Sequence, residues 1–378
     1  MVDDVTDAPR VPLDAIPPDL LTLADYEALA EMHMPAASWR HVQEGAGREL
    51  TLHDNRACFD RWRLLPRALV DLRDGSTAID LFGRRHAAPI LFAPLAYQCL
   101  AHPEGELATV RAAAALEAGL VLSTLSSIPL EDVSAAAGEA ARALGTSGAP
   151  LWFQLYLQED RAHSADLVRR AEAAGYETIV LTIDAAIKRS SFTLPPGVDA
   201  ANLCGLPKLQ HTTTPGGNIL FGTALADAAP RWEDLAWLRG LTRLPIIVKG
   251  ILTPADALRA IDHGADGIVV SNHGGRVLDG LPAAIEVLPG IVDAVAGAVP
   301  LLVDGGVRSG TDIVKALALG ASAVLVGRPQ FHGLAVAGMT GVAHILHILR
   351  AELEMAMAQM GCPTLADLGR ERVLPLRP

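Results

Sequence analysis

Between Pro89 and Arg328 the chain repeats one alternation. A short uncharged run of aliphatic and β-branched residues is followed each time by a longer, alanine-rich stretch of helical period. The apolar runs fall at 90–93, 120–123, 152–155, 178–182, 245–248, 267–270, 301–303 and 323–326. Such runs without polar alternation are the mark of strands covered on both faces, as in a parallel sheet. Eight strand-then-helix units predict an α/β chain folded as a TIM (β/α)8 barrel. An open doubly wound sheet would bring the dinucleotide fingerprint G-x-G-x-x-G, and the chain has none.

Ahead of the repeats lies a helical preamble. The spacing of Leu23, Tyr26, Leu29 and Ala30 predicts a helix over 23–40 with Thr22 as its N-cap. Gly45 and Gly47 interrupt the pattern, and a second helix over 52–59 contains Asn55 and Arg56. Residues 342–360 read as an amphipathic helix packed on the barrel. The first 22 residues, rich in Asp and Pro and lacking the basic start and apolar core of a secretory signal, read as a flexible extension. Residues 23–378 then form a single barrel domain. Within it, 185–230 is rich in Thr, Gly and Pro with weak periodicity, as expected of a lid inserted after the fourth strand.

Composition narrows the picture. A chain of 378 residues that is 50% hydrophobic, with mean hydropathy +0.29, has enough apolar material for one large core. A net charge of −12 argues against nucleic acid as a partner, because phosphate binding needs clustered Lys and Arg. No run of about eighteen consecutive apolar residues points to a membrane. The four cysteines are far apart and form no C-x-x-C pair, which suits free thiols in a reducing cytoplasm.

The chemistry gathers at strand ends, where a barrel builds its site. The sixth run passes into Ser271-Asn272-His273-Gly274-Gly275-Arg276-Val277-Leu278-Asp279-Gly280. An imidazole can take a proton near neutral pH, and three residues on, a guanidinium offers a planar fork for a carboxylate. Together they suit a small acid. Other polar groups stand at the remaining ends: Ser123 after the second strand, Gln154 and Tyr156 around the third, Thr182 and Asp184 at the fourth, Lys249 at the fifth. Two glycine-rich loops, Asp304-Gly305-Gly306-Val307-Arg308 and Gly327-Arg328, match the phosphate position that barrels place after strands seven and eight.

The run SNHGGRxLDG resembles the active-site signature of the FMN-dependent 2-hydroxy acid oxidases and dehydrogenases, and the resemblance extends from about Tyr26 to about Leu368. It implies FMN as cofactor and oxidation of a 2-hydroxy acid to a 2-oxo acid, with O2 as acceptor giving peroxide. It also implies a homo-oligomer, commonly a tetramer. His273 would be the base and Arg276 the carboxylate ligand. Asp184 would orient the imidazole, Tyr156 would bind substrate, and Lys249 would stabilise the reduced flavin. Pro94, Leu95 and Ala96 would lie against the flavin ring. Ser123, Gln154, Thr182 and Ser271 would contact the flavin, and Asp304, Gly305, Gly306, Arg308, Gly327 and Arg328 would surround its tail.

The chain departs from the family in two places. His41 stands where a tyrosine usually helps hold the carboxylate, and the G-x-R-x-x-D segment after Asp184 is shortened, leaving Arg189 as a stand-in for the absent arginine. Leu125 replaces a tryptophan common in short-chain glycolate oxidases, and the stretches 94–98 and 124–127 most resemble the 4-hydroxymandelate oxidases. An aryl substrate such as mandelate or 4-hydroxymandelate is therefore expected. The alternatives are a dehydrogenase with a quinone or protein acceptor, an oxidase of a specialised biosynthetic intermediate, and a catalytically silent FMN-binding protein.

Overall fold

The structure is a computed structural model that describes residues 9–185, 192–206 and 220–376. Three helices come first: α1 (Leu23–Ala30), α2 (Ala36–Gln43) and α3 (Leu50–Asp60). Thr22 and Asp25 form a reciprocal capping box at the start of α1. The single helix expected over 23–40 is broken. After α1 the chain makes one 3-10 turn, Glu31–His33, and then Pro35, which cannot donate to a helix and forces Met34 into an extended conformation (φ −120°, ψ 146°).

The barrel strands are β1 (Ile90–Phe92), β2 (Gly119–Ser123), β3 (Leu151–Leu155), β4 (Thr178–Thr182), β5 (Ile246–Ile251), β6 (Gly267–Val270), β7 (Leu301–Asp304) and β8 (Ala323–Val326). Each pairs in parallel with the next, and β8 closes onto β1. The outer helices are α4 (Gly105–Ala115), α5 (Leu130–Leu144), α6 (Arg161–Ala173), α7 (Trp232–Leu241), α8 (Pro254–Asp262), α9 (Ala284–Val295), α10 (Gly310–Ala318) and α11 (Arg328–Gln359).

Element boundaries differ in detail from expectation. The fifth strand runs on to Ile251, past an irregularity at Gly250, so Lys249 lies within it. The final helix, 328–359, is broken at Ala337 (φ −150°, ψ 31°) and Gly338 (φ 54°, ψ −135°), so the helix expected over 342–360 lies in its second part and a further helical stretch from Arg328 precedes it. By length and composition alone that helix could cross a membrane, but 61% of its most apolar window is buried inside the protein. The described part of the expected N-terminal extension is tied down: Arg10 N–H donates to Met32 O (2.8 Å), Leu13 N–H donates to Val336 O (2.7 Å), and Leu20 is buried.

Two apolar layers follow from strand alternation. Outward-facing residues such as Phe92, Leu122, Phe153 and Leu181 pack under the helices. Inward-facing Leu91, Val121, Trp152, Val180, Ile247, Val269, Leu302 and Leu325 fill the barrel. A short antiparallel ribbon, Ile79–Leu81 with Arg84–His86, is the floor, with Leu81 buried in the same cluster and Phe82 packed edge-on against Trp152 at 5.5 Å.

Candidate active site

The next inward position on each strand lies two residues beyond its interior apolar residue: Ala93, Ser123, Gln154, Thr182, Lys249, Ser271, Asp304 and Gly327. Six of these eight are polar, so the apolar filling of the barrel ends here and a cavity of about 490 Å³ opens above it. Lys249 is one of its lining residues and is buried. Its Nζ is 2.8 Å from Asp304 Oδ2 and donates to Ser271 Oγ at 2.7 Å. Burial alone would pull the ammonium down, but Asp304 and Asp184 together hold its pKa above the ordinary lysine value. On the next strands Ser123 Oγ and Thr124 N–H both donate to Gln154 Oε1 at 3.2 Å.

His273 follows β6 in a left-handed conformation (φ +58°). Its Nδ1 is 2.8 Å from Asp184 Oδ1, and its Nε2 is 3.4 Å from Tyr156 Oη. Burial pushes the Asp184 carboxyl up, yet Lys249 and His273 outweigh it and keep the group below its usual range, hence ionised. The Tyr156 phenol is pushed up by burial and by Asp184, so it stays protonated and able to donate. Gly250 makes this packing possible: at φ +110°, a Cβ there would stand 2.7 Å from Asp184 Cβ.

Three arginines line the same cavity. Arg276 donates through Nη1 to Val42 O (2.9 Å) and Glu44 O (3.0 Å) and through Nη2 to His41 O (2.7 Å). Arg328 Nε reaches Val42 O at 3.2 Å. Arg308 is 3.8 Å from Glu27. Burial, then the charges of Arg276 and Arg308, bring the Arg328 pKa down to about 9, while burial lowers Arg276 and Arg308 also. Like charges crowded in this way repel one another, and a bound anion would relieve that repulsion. Gly306 is obligatory in the loop below them, because a Cβ there would fall 1.9 Å from Asn55 O.

Most residues singled out in the sequence converge here. Pro94, Leu95, Ala96, Ser123, Tyr156, Thr182, Lys249, His273, Arg276, Asp304, Gly305, Gly306, Arg308, Gly327 and Arg328 line the cavity, as does His41. Gln154, Asp184 and Ser271 stand one layer back, touching lining residues. Arg189 lies outside the described residues.

A model of the family described as FMN-dependent dehydrogenase matches residues 30–375. The chain belongs to that family. It is therefore an enzyme whose cofactor is FMN. An L-lactate oxidase of Alicycliphilus denitrificans is 48% identical over 96% of this chain and 99% of its own length. A 4-hydroxymandelate oxidase of Amycolatopsis orientalis is 45% identical over 93% and 97%. The crystal structure of a mandelate oxidase with benzoylformic acid superposes with TM-score 0.82 at 43% identity, covering 94% of this chain and 98% of that one.

Several lining groups carried no individual role in the sequence. Tyr97, at φ +57°, Leu157, Phe192 and Leu194 bring apolar surface to the cavity. Phe192 stacks on the His41 ring at 4.2 Å and 11°. Behind the wall, Asn55 and Asn272 exchange two amide hydrogen bonds (2.9 and 2.8 Å) that join α3 to the His273 turn. Nothing local in the sequence marks two asparagines 217 residues apart as partners.

Proposed function

We propose that the enzyme oxidises a 2-hydroxy acid to the 2-oxo acid, with O2 taking the two electrons and two protons and leaving as H2O2. The observation that carries this reading is the His273 geometry. With Asp184 accepting from Nδ1–H, Nε2 is the basic nitrogen of the ring, beside Tyr156 where the substrate hydroxyl would bind. The proton moves from that hydroxyl to Nε2, and the Asp184 carboxylate stabilises the imidazolium that results. Arg276 grips the carboxylate. When bound, FMN supplies the acceptor for the two electrons of the substrate C–H bond.

The residues fit that cofactor. Gln154 Nε2, Thr182 Oγ1 and Asp304 Oδ1 are buried without a partner among the described residues, an expensive state that the polar groups of a bound FMN would relieve. Pro94, Leu95 and Ala96 would offer the ring an apolar wall, and Ser123, Gln154, Thr182, Lys249 and Ser271 would hold its polar atoms. Asp304, Gly305, Gly306, Arg308, Gly327 and Arg328 would hold its tail and phosphate.

The substrate we favour is aryl, of the mandelate or 4-hydroxymandelate type. Leu125, Tyr97, Leu157, Phe192 and Leu194 line the cavity, and the His41–Phe192 stack adds a flat wall. Burying a phenyl ring contributes about 1.5–3 kcal/mol, roughly 10–150-fold. We expect kcat/KM to rise in that range from glycolate to mandelate, with lactate between them. A preference for glycolate would sink the aryl reading. The four cysteines are free, which supports a reducing, cytoplasmic setting. The family resemblance supports a homo-oligomer, and we read residues 23–378 as one domain; of the lid expected over 185–230, residues 186–191 and 207–219 lie outside the described residues.

A further inference from the structure

The two arginines assigned above to different ligands share one support. Arg276 donates to the carbonyls of His41, Val42 and Glu44, and Arg328 Nε reaches the same Val42 carbonyl. These carbonyls end α2, where a helix leaves its last C=O groups without partners and carries partial negative charge. A guanidinium has five N–H donors. Three of those on Arg276 go to the helix end, leaving Nε–H and one Nη2–H without a partner among the described residues. Two remaining donors are what a bidentate grip on a carboxylate requires.

A second contact holds the helix end from below. Gln43 Nε2 is 2.6 Å from His332 Nε2, and the Gln43 carbonyl accepts from Arg328 Nη2 at 3.4 Å. His332 is fully buried in the first turns of α11, four residues after Arg328, with its ring tilted on Trp39 at 5.6 Å. Burial and the nearby charges of Arg308 and Arg328 hold its pKa well below the usual histidine value. The imidazole is thus neutral, and its Nε2 can accept the amide N–H.

We propose that Gln43 and His332 are positioning residues. Their contact pins the end of α2 to α11, and this aims the unused donors of Arg276 at the substrate carboxylate while holding Arg328 at the cofactor phosphate. The inference rests on the reading that Arg276 binds that carboxylate.

The test uses the FMN-loaded enzyme and the variants His332→Leu, Gln43→Leu, the double variant and His332→Gln. Mandelate and mandelamide are compared, or lactate and lactamide if lactate turns over faster. We expect KM for the acid to rise about tenfold with kcat within a factor of two, the signature of lost uniform binding. The acid-over-amide preference should fall about tenfold, and FMN should dissociate faster. The double variant should match either single one, and His332→Gln, which can still meet Gln43, should restore the preference. An unchanged acid-over-amide ratio in both single variants, or additive losses in the double, would overturn the proposal. Gln43→Leu decides alone if His332→Leu does not fold. Arg276→Gln separates the two readings: if it leaves the ratio intact, the carboxylate role of Arg276 fails, whereas if it lowers the ratio and His332→Leu does not, only the positioning role fails.

Discussion

Two histidines at opposite ends of the barrel show how one side chain is put to two uses. His86 ends the floor ribbon at 1% exposure, its ring edge-on to Trp152 at 6.0 Å and 77°, and neither ring nitrogen has a partner among the described residues. Burial, and secondarily the charge of Arg84, pushes its pKa down to about 4. His273 at the mouth has a buried carboxylate on Nδ1 and a cavity lining position for the rest of its ring. The first is apolar filling that happens to contain nitrogen. The second has an ionised partner to stabilise a proton and an opening through which to receive it. Chemistry thus depends on the partner and the access, not on burial alone.

If that contrast is right, substitution at the mouth should change rate, and substitution at the floor should change stability. The largest effect is expected for His273→Ala. Loss of a general base costs about 10²–10⁴-fold in rate, and stopped-flow flavin reduction should fall by that much while FMN content and Tm stay near those of the parent. Reduction at the parent rate would remove His273 from the mechanism. At the floor, Trp152→Ala opens a cavity among Phe82, His86 and Val121. A Trp-to-Ala change in a packed core costs about 3–5 kcal/mol, to be read in denaturant unfolding of the holoenzyme. A loss under about 1 kcal/mol would mean that the floor is loosely packed and the contrast is false.

Arg308→Ala sharpens the comparison within the mouth itself, because its role is retention rather than reaction. Removing a charged hydrogen-bond donor costs about 1.5–3 kcal/mol, or roughly 10–150-fold in the FMN dissociation constant. Flavin released on dialysis should increase accordingly, with the fraction still loaded reducing at the parent rate. Unchanged retention would take Arg308 out of the phosphate site.

How much of this could be read in the chain differs between the two ends. The strands were legible because a strand buried on both faces needs an uninterrupted apolar run, and the mouth was legible because the same inward parity, carried two residues further, reaches Ser123, Gln154, Thr182, Lys249, Ser271 and Asp304. The floor was not. Residues 79–86 mix charge with apolar groups in a ribbon too short to show a period, and His86 carries no local mark that separates it from a surface histidine. Pro35 could have ended the first helix by rule, since proline breaks the backbone ladder wherever it falls. The support of Arg276 was illegible for a different reason: its acceptors are backbone carbonyls, which every residue has, and only the fold brings the end of α2 to the guanidinium.

The smallest effect we expect is the pH response of His86. Its folded pKa, about 4, lies below the ordinary histidine value of 6.5 that the unfolded chain approaches. Between those values the unfolded chain binds a proton that the folded protein refuses, so unfolding takes up a proton and stability falls as pH drops. The slope from this one group is at most about 1.4 kcal/mol per pH unit and vanishes both above the upper value and below the lower one. His86→Phe keeps an aromatic ring against Trp152 and removes the titration. Unfolding free energies measured from pH 7 down to 4.5 should therefore decline less steeply in the variant, with little difference at pH 7. Parallel curves would mean that the His86 ring is already paired or solvated in the folded state, and the distinction drawn between the two histidines would no longer stand.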